Sequence, residues 1–334
     1  MLYQDDIKHL SCSKNLLAFS GGSDSTALFF LLHKHGIKFD IAIVDYGTRD
    51  QSKAEVAYAK DLALSYRQKC FVHSSLKIEK NFEANARKVR YDFFNSLIKK
   101  HKYTTLITAH HLGDRLEWLL MQLCKGAGLA ELNSLKSKTI KSDYTLLRPL
   151  LHVSKDELIQ YLKDNHAKYF EDQSNTDLAI KRNYFRHNFA NPMLKQYVSG
   201  IKKSFQYLDT DTKLLIQEAD IKITNGCYYF KKTNNYINDI YHVDKILKTA
   251  GILIGTKTRE DIQKNQESVI AREYLVTKTS NHIFITPFVK DCVMSKNFKE
   301  RCRQMRIPPK IRPVLYKYQD LFKIFEELSF SKRL

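Results

Sequence analysis

Six consecutive residues, Ser20-Gly21-Gly22-Ser23-Asp24-Ser25, hold the densest chemistry in the chain. An apolar run over 16–19 leads in, and a helical pattern beginning at Thr26 leads out. Strand, glycine turn and helix start in that order make an anion site. Gly21 and Gly22 permit backbone angles and close approaches that a Cβ would block. Ser20, Ser23 and Ser25 add hydroxyl donors, and the free amides and dipole of the helix start favour negative charge. A phosphate chain fits, and an ordinary capped turn is the plain alternative. Neither the Walker pattern nor G-x-G-x-x-G is present here.

Four further groups of residues have the types and spacing for chemistry. Asp114 and Glu117 stand three apart after His110-His111, so one helix face can offer both carboxylates to a cation, a metal or an ammonium group. Acids favoured by the helix dipole are the bland alternative. The spacing is not H-E-x-x-H, so a zinc protease is not implied. Glu83, Arg87 and Arg90 share a helix face, either solvated or set beside a nucleotide. Asp45 and Arg49, around Gly47, follow a strand and face a ligand or cap a turn. Arg182 and Arg186, interleaved with Tyr184 and Phe185, suit RNA backbone contact and base stacking; a loop packed on the next helix competes.

These groups need elements to hold them. Apolar runs at 16–19, 39–44, 69–73, 104–108 and 144–147 alternate with helical patterns at about 24–35, 50–66, 83–100 and 112–123. That alternation argues a doubly wound parallel sheet, whose ligands bind beyond the carboxyl ends of the strands. The loop at 20–25, Asp45 and His110 each follow a strand and fall on that edge. Lys125–Gly128 breaks the helix after Glu117. Beyond Arg148-Pro149-Leu150 a helix is expected over 155–164 and another over about 193–217. Short strands at 227–230, 274–277 and 282–286, with helices near 243–250 and 259–272, predict a small α+β module at the end.

The 334 residues carry 55 Lys and Arg against 36 Asp and Glu, a net charge of +19, which suits a polyanionic partner, nucleic acid first. Hydrophobic residues make up 43%, enough for real cores. None of the six cysteines forms a C-x-x-C pair, so no zinc or iron–sulfur site is signalled and a reducing compartment is expected. No apolar run approaches the ~20 residues of a membrane span, and the start lacks the form of a signal peptide. A cytoplasmic protein is the simplest expectation.

The loop matches the Ser-Gly-Gly-x-Asp-Ser signature of pyrophosphate-loop (PP-loop) ATP pyrophosphatases, which cleave ATP between its α- and β-phosphates. The ordered set of motifs resembles the tRNA(Ile)-lysidine synthase family. It comprises Ser20–Ser25, Asp45–Arg49, Asn81–Tyr91, His111–Trp118 with Lys125–Gly128, Arg148–Leu150, Glu171–Asn175 and Arg182–Arg186. The likeness is dense over about 15–195 and thin from there to 290. It implies a nucleotide-binding catalytic domain over 1–195, a helical linker region over 196–220 and a C-terminal tRNA-binding region over 221–334.

The activity implied by the resemblance is adenylation of C2 oxygen of the wobble cytidine in a CAU-anticodon isoleucine tRNA, followed by attack of the ε-amine of free L-lysine. ATP and Mg2+ are the implied cofactors, and a homodimer is an open assembly. By resemblance, Ser20–Ser25 hold the phosphates, Asp24 binds magnesium, and Asp45 and Arg49 lie near the nucleoside. Asp114 and Glu117 take the lysine ammonium, Arg87 and Arg90 its carboxylate or transition-state charge, and Arg182 and Arg186 meet tRNA. Gly113 stands where the family usually has an acid, Trp118 replaces a threonine, and Tyr46 takes a histidine's place. A PP-loop tRNA thiolase and a non-catalytic RNA-binding protein are the rival readings. The first lacks paired cysteines, and the second would not need Asp24.

Overall fold

Leu16 and Leu17 are both fully buried, one on each face of a strand, because that strand is covered by helices on both sides. In the computed structural model, residues 1–47, 50–76, 78, 82–171, 177–233 and 235–330 are described. Arg49, Asn81 and residues 172–176, which carried sequence expectations, lie outside them. The chain divides into two compact units, 1–208 and 209–334. No described helix is long and apolar enough to cross a membrane.

The first unit is built on strands β1 (Asn15–Ala18), β2 (Phe39–Asp45), β3 (Cys70–Ser74), β4 (Thr105–Ile107), β5 (Lys138–Ile140) and β6 (Thr145–Leu147), in the order β3-β2-β1-β4-β6-β5. β1 pairs in parallel with β2 and β4, Asn15 lying opposite Phe39 on one side and Thr105 on the other. Only β5, at the edge, runs antiparallel, with Lys138 opposite Leu147. That short, largely exposed strand gives no apolar run, so it escapes a reading of the sequence alone.

Helices α2 (Ser23–Lys34), α3 (Asp50–Ser65) and α7 (Lys155–Asp164) cover one face of the sheet. There Leu28, Leu32, Leu62, Leu158 and Leu162 meet Leu17 and Ile41. Helix α4 (Phe82–His101) covers the other face, with Phe94, Leu97 and Ile98 against Leu16, Leu106 and Leu146. Each of these buried side chains contributes roughly 2 kcal/mol relative to exposure. Helix α1 (Gln4–Ser11) adds Leu10 to the first core. The chain leaves β1 and β4 toward opposite flanks, so the crevice between their carboxyl ends is the topological switch point. The loop at 20–25 and the start of helix α5 (Leu112–Leu123) meet there. Helix α6 (Leu129–Leu132) follows, then α8 (Lys181–Phe185), a π-helical turn (Arg186–Ala190) and helix α9 (Asn191–Leu215).

The second unit is α+β. Its sheet is antiparallel in the order β7 (Lys222–Thr224), β8 (Cys227–Lys231), β11 (His282–Pro287), β10 (Tyr274–Lys278) and β9 (Glu267–Ile270). Helices α10 (Tyr236–Thr249) and α11 (Thr256–Lys264) pack on one face around Val243, Leu247 and Val276. Helices α12 (Lys296–Gln304), α13 (Arg312–Lys317) and α14 (Gln319–Phe330) close the other around Leu275, Phe284 and Phe325. The helix expected over 259–272 stops at Lys264, and β9 replaces its end. Ser268 and Ile270 alternate inward, and Ala271 and Arg272, at φ 51° and 60°, turn β9 into β10. Two left-handed residues make the tight hairpin turn, and no Asn-Gly pair announces it in the sequence.

Candidate active site

The loop between β1 and α2 is tied by its own serines. Ser25 Oγ donates to Gly22 O at 3.1 Å and accepts from Ser20 N at 3.2 Å, and Ser20 and Ser25 hydroxyls lie 3.1 Å apart. The residue before α2, Gly22, offers no side-chain cap, so the helix-start amides remain for an anion. Gly21 takes φ +76°, and a Cβ there would touch Glu55 and Phe170 at 3.4 Å. Phe170 N donates to Gly21 O at 3.0 Å, strapping the loop from outside.

Lys155, the first residue of α7, reaches this loop. Its Nζ donates to Ser23 Oγ and to Asp24 Oδ1, each at 2.6 Å. A capping box of Ser154 and Glu157 fixes the start of α7, so the reach of Lys155 is set by a rigid helix end. Sequence reasoning passed over Lys155. Its only signal was its place at a helix start just after Arg148-Pro149-Leu150.

Across the crevice, His111 caps α5. Its Nδ1 accepts from Gly113 N at 3.0 Å, and Asp114 Oδ2 accepts from His111 N at 3.0 Å. The proton of neutral His111 therefore sits on Nε2, which lies 3.8 Å from Asp24 Oδ2 and 3.7 Å from Asp114 Oδ2. One ring thus stands between the carboxylate of the loop and that of α5. Gly113 has a local cause: a Cβ there would come within 2.6 Å of His111 Cε1. With His111 in this rotamer, an acid at 113 has no room.

Asp114 and Glu117 do share a face, and the structure fills that face with arginine. Arg182 Nη2 donates to Asp114 Oδ1 at 2.9 Å and Arg182 Nε to Glu117 Oε1. Arg186 Nε donates to Glu117 Oε2 at 2.9 Å and Arg186 Nη2 to Asp114 Oδ1 at 3.3 Å. Arg182 and Arg186, assigned to tRNA by resemblance, thus turn these donors to the carboxylates. The two forks bridge the two acids bidentately. Glu83, on α4, adds an outer contact to Arg182 at 3.9 Å.

Burial opposes ionisation of Asp114, but His111, His110, Arg182 and Arg186 outweigh it and hold its carboxyl well below the usual carboxylate range. Burial dominates at Glu117 and keeps its pKa above the ordinary glutamate value despite Arg182 and Arg186. His110 Nδ1 pairs with Thr108 Oγ1 at 3.0 Å. Burial lowers the His110 pKa to about 4, with Arg148, Arg182 and Arg87 adding to it and Asp114 opposing.

The remaining candidates take structural positions near the crevice. Asp45 Oδ1 accepts from Gly47 N at 2.8 Å, so this carboxylate caps its own turn. Tyr46 donates to Ala86 O at 3.0 Å and is hydrogen-bonded by Arg90, tying the end of β2 to α4. Arg87 stacks over the Tyr91 ring, 4.7 Å from its centroid. Trp118 turns away and donates its indole N–H to Glu131 O at 3.0 Å.

Asp24 suits a magnesium ion, which takes one or two carboxylates together with phosphate oxygens. Its side chain is partly open, with Oδ1 on Lys155 and Oδ2 turned toward His111. Among the described residues no group of three His, Cys, Asp or Glu side chains gathers as a metal cage, so such an ion would rely on the phosphates it accompanies.

A phosphate-binding loop at the switch point of a parallel sheet, with carboxylates facing it, defines a PP-loop ATP-using enzyme. The PP-loop domain family matches residues 2–193. The chain belongs to the tRNA(Ile)-lysidine synthase family. It is 44% identical over 316 residues to the tRNA(Ile)-lysidine synthase of Helicobacter pylori (strain ATCC 700392 / 26695), covering 94% of this chain and 93% of that protein. It is 40% identical over 310 residues to that of Campylobacter jejuni (strain RM1221), covering 93% and 94%. Among solved structures, the U34-tRNA thiolase NcsA from Methanococcus maripaludis shares the fold, with a TM-score of 0.53 at 18% identity over 66% of this chain and 78% of that one. The protein is thus an ATP-using, tRNA-modifying ligase.

Proposed function

We propose that this enzyme converts the wobble cytidine of a CAU-anticodon isoleucine tRNA to lysidine, with ATP and free L-lysine as co-substrates. The observation that carries this reading is the single ring of His111 between Asp24 and Asp114, 3.8 and 3.7 Å from its Nε2. It sets a phosphate-handling carboxylate beside an amine-handling one.

In the first step the C2 oxygen of cytidine attacks the α-phosphorus of ATP. The bond to the bridging oxygen breaks, and pyrophosphate leaves with the electron pair. The loop amides and Ser23 hold the phosphates, and Lys155 offers a cation to the charge that develops on the departing pyrophosphate. A magnesium ion held by Asp24 would neutralise phosphate charge. Ser20 and Ser25, bonded to each other, keep the loop in shape.

In the second step the ε-nitrogen of lysine bonds to C2, the C2–O bond to the adenylate breaks, and AMP leaves. Asp114, 11% exposed at its side chain, is the carboxylate of the pair that the amine would approach, and Glu117 holds Arg182 and Arg186 in place behind it. Arg182 and Arg186 balance both carboxylates, so the pair offers acceptors without a net negative field. An amine held there gives up its proton more readily than beside two bare carboxylates. The proton that the amine loses goes to the departing AMP phosphate or to solvent.

The test is incorporation of radiolabelled lysine into a CAU-anticodon isoleucine tRNA transcript with ATP and magnesium. ATP-dependent incorporation that disappears when the wobble cytidine is changed is the expected result. Pyrophosphate release without lysine incorporation would retain the adenylating loop and reject lysine as the nucleophile.

A further inference from the structure

The second unit holds a cavity of about 360 Å3, walled by α10, α11 and the sheet, whose groups take no part in the reaction proposed above. Small-molecule sites occupy about 300–1,000 Å3, so there is room for one compact metabolite. The wall is aliphatic. Ile240 and Val243 come from α10, Ile262 from α11 and Ile283 from β11, and all four are buried. An apolar guest gains by leaving water for such a wall.

Three charged groups share the cavity, and none is ion-paired among the described residues. Lys232, just past β8, is exposed. Lys278, at the end of β10, is half-buried, and its Nζ donates to Gln263 O at 2.7 Å. Burial, with Lys232 adding to it, draws the Lys278 pKa below the ordinary lysine value, while Asp239 and Asp261 oppose. Two ammonium groups at one cavity, one of them resting on a neutral carbonyl, leave a seat for an anion. Asp239, on α10, is the third group and is buried. Its Oδ1 accepts from Thr233 N and from Thr233 Oγ1, each at 2.8 Å. Its Oδ2 has no hydrogen-bond donor among the described residues and remains for a charged N–H group.

These features select a class of ligand. An anionic end suits the two lysines, a cationic donor suits Asp239, and an aliphatic body suits the wall. A phosphate fits less well, because its second charge would stand beside Asp239 and no arginine lines the cavity among the described residues. A lysine side chain would press its ε-ammonium against the apolar wall. A free amino acid with an apolar side chain carries all three parts. We infer that this cavity binds the zwitterion of such an amino acid, its carboxylate on Lys232 and Lys278, its ammonium at Asp239 and its side chain against Ile240, Val243, Ile262 and Ile283.

The experiment is isothermal titration calorimetry of the full chain with L-leucine as the probe, in saturating L-lysine so that a lysine site elsewhere is filled. Leucine should still bind. Isoamylamine, which lacks the carboxylate, and isocaproate, which lacks the amine, should bind about 10- to 100-fold more weakly, the range of a charge-assisted hydrogen bond. Lys278→Gln and Asp239→Asn should each weaken leucine by a similar factor. Asparagine keeps an oxygen for Thr233, and Lys232→Gln, at an exposed position, tests the anion seat with little risk to folding. No binding of leucine, or equal affinity in the parent and all three variants, overturns the proposal. Silent leucine with binding of AMP or inorganic phosphate that Lys278→Gln weakens overturns it in favour of a phosphate seat. Silent leucine with weaker tRNA binding in Lys232→Gln overturns it in favour of an RNA contact.

Discussion

Lys155 Nζ lies 2.6 Å from Asp24 Oδ1 and 2.6 Å from Ser23 Oγ, so a cation from α7 rests in the phosphate loop between β1 and α2. The contact joins residues 131 apart in sequence. In the proposed reaction it sets positive charge beside the departing pyrophosphate. Lys155→Met is expected to slow tRNA-dependent pyrophosphate release about 100-fold, the usual cost of one lost electrostatic donor, and Lys155→Arg to retain more. Quenched-flow measurement of pyrophosphate checks this. Equal rates in Lys155→Met and the parent enzyme would remove Lys155 from the chemistry.

The proposed reaction gives Asp24 a second partner, the magnesium that would accompany ATP. Asp24→Asn keeps the shape of the loop and removes the charge. It is expected to raise the magnesium concentration needed for half-maximal pyrophosphate release. A titration with an unshifted midpoint would take Asp24 out of the metal's coordination.

The four-residue cluster of Asp114, Glu117, Arg182 and Arg186 ties α5 to α8 and the turn that follows it. Glu117 is almost fully buried. Arg186→Met leaves its Oε2 without the 2.9 Å donor. Breaking a buried pair from one side costs about 3–5 kcal/mol; with Arg182 still in place, a loss of roughly 2–3 kcal/mol is expected. Urea denaturation measures it, and an unchanged midpoint would mean that the fork is too hydrated to matter.

His110 should make the enzyme acid-sensitive. Burial brings its pKa to about 4, against about 6.5 in the unfolded chain. Protonation therefore favours unfolding. The stability tied to neutral His110 is complete above about pH 6.5 and drains away between about pH 6.5 and 4, by up to about 3 kcal/mol. Asp114 acts in the same sense lower on the scale, since its depressed pKa makes stability fall below the usual aspartate value. Denaturation midpoints across pH 7.5 to 4.5 should fall less steeply in His110→Gln. Parallel slopes would refute the assignment.

Gly113 and His111 are coupled by space. Gly113→Ala puts a Cβ 2.6 Å from His111 Cε1 and displaces the cap. Loss of a helix cap costs about 1 kcal/mol. Adding His111→Ser to Gly113→Ala supplies a cap without a ring and should recover that stability, though not activity. Thermal melts of the single and double variants decide it, and a double variant no more stable than Gly113→Ala alone would count against the clash.

Much of the molecule could be read from local pattern. The loop Ser20–Ser25 declares itself because strand, glycines and helix start lie within a dozen residues. The buried strands β1, β2 and β4 announce themselves as apolar runs, and the pairing of Asp114 with Glu117 on one face follows from helical spacing. β5 and β9 were missed because one is short and exposed and the other ends in a hairpin turn of Ala271 and Arg272. Neither leaves a local signature.

What the sequence determined by itself was the kind of site: residue types and short spacings suffice for an anion loop and a carboxylate face, because both are made within a single turn of chain. Tertiary structure alone decided the partners. Lys155 meets Asp24 across 131 positions, Arg182 meets Asp114 across 68, and Arg148 is buried against Lys136 O and Thr139 Oγ1. Charge pairing and desolvation act through space, at distances of a few ångströms, and the crevice between β1 and β4 sets those distances.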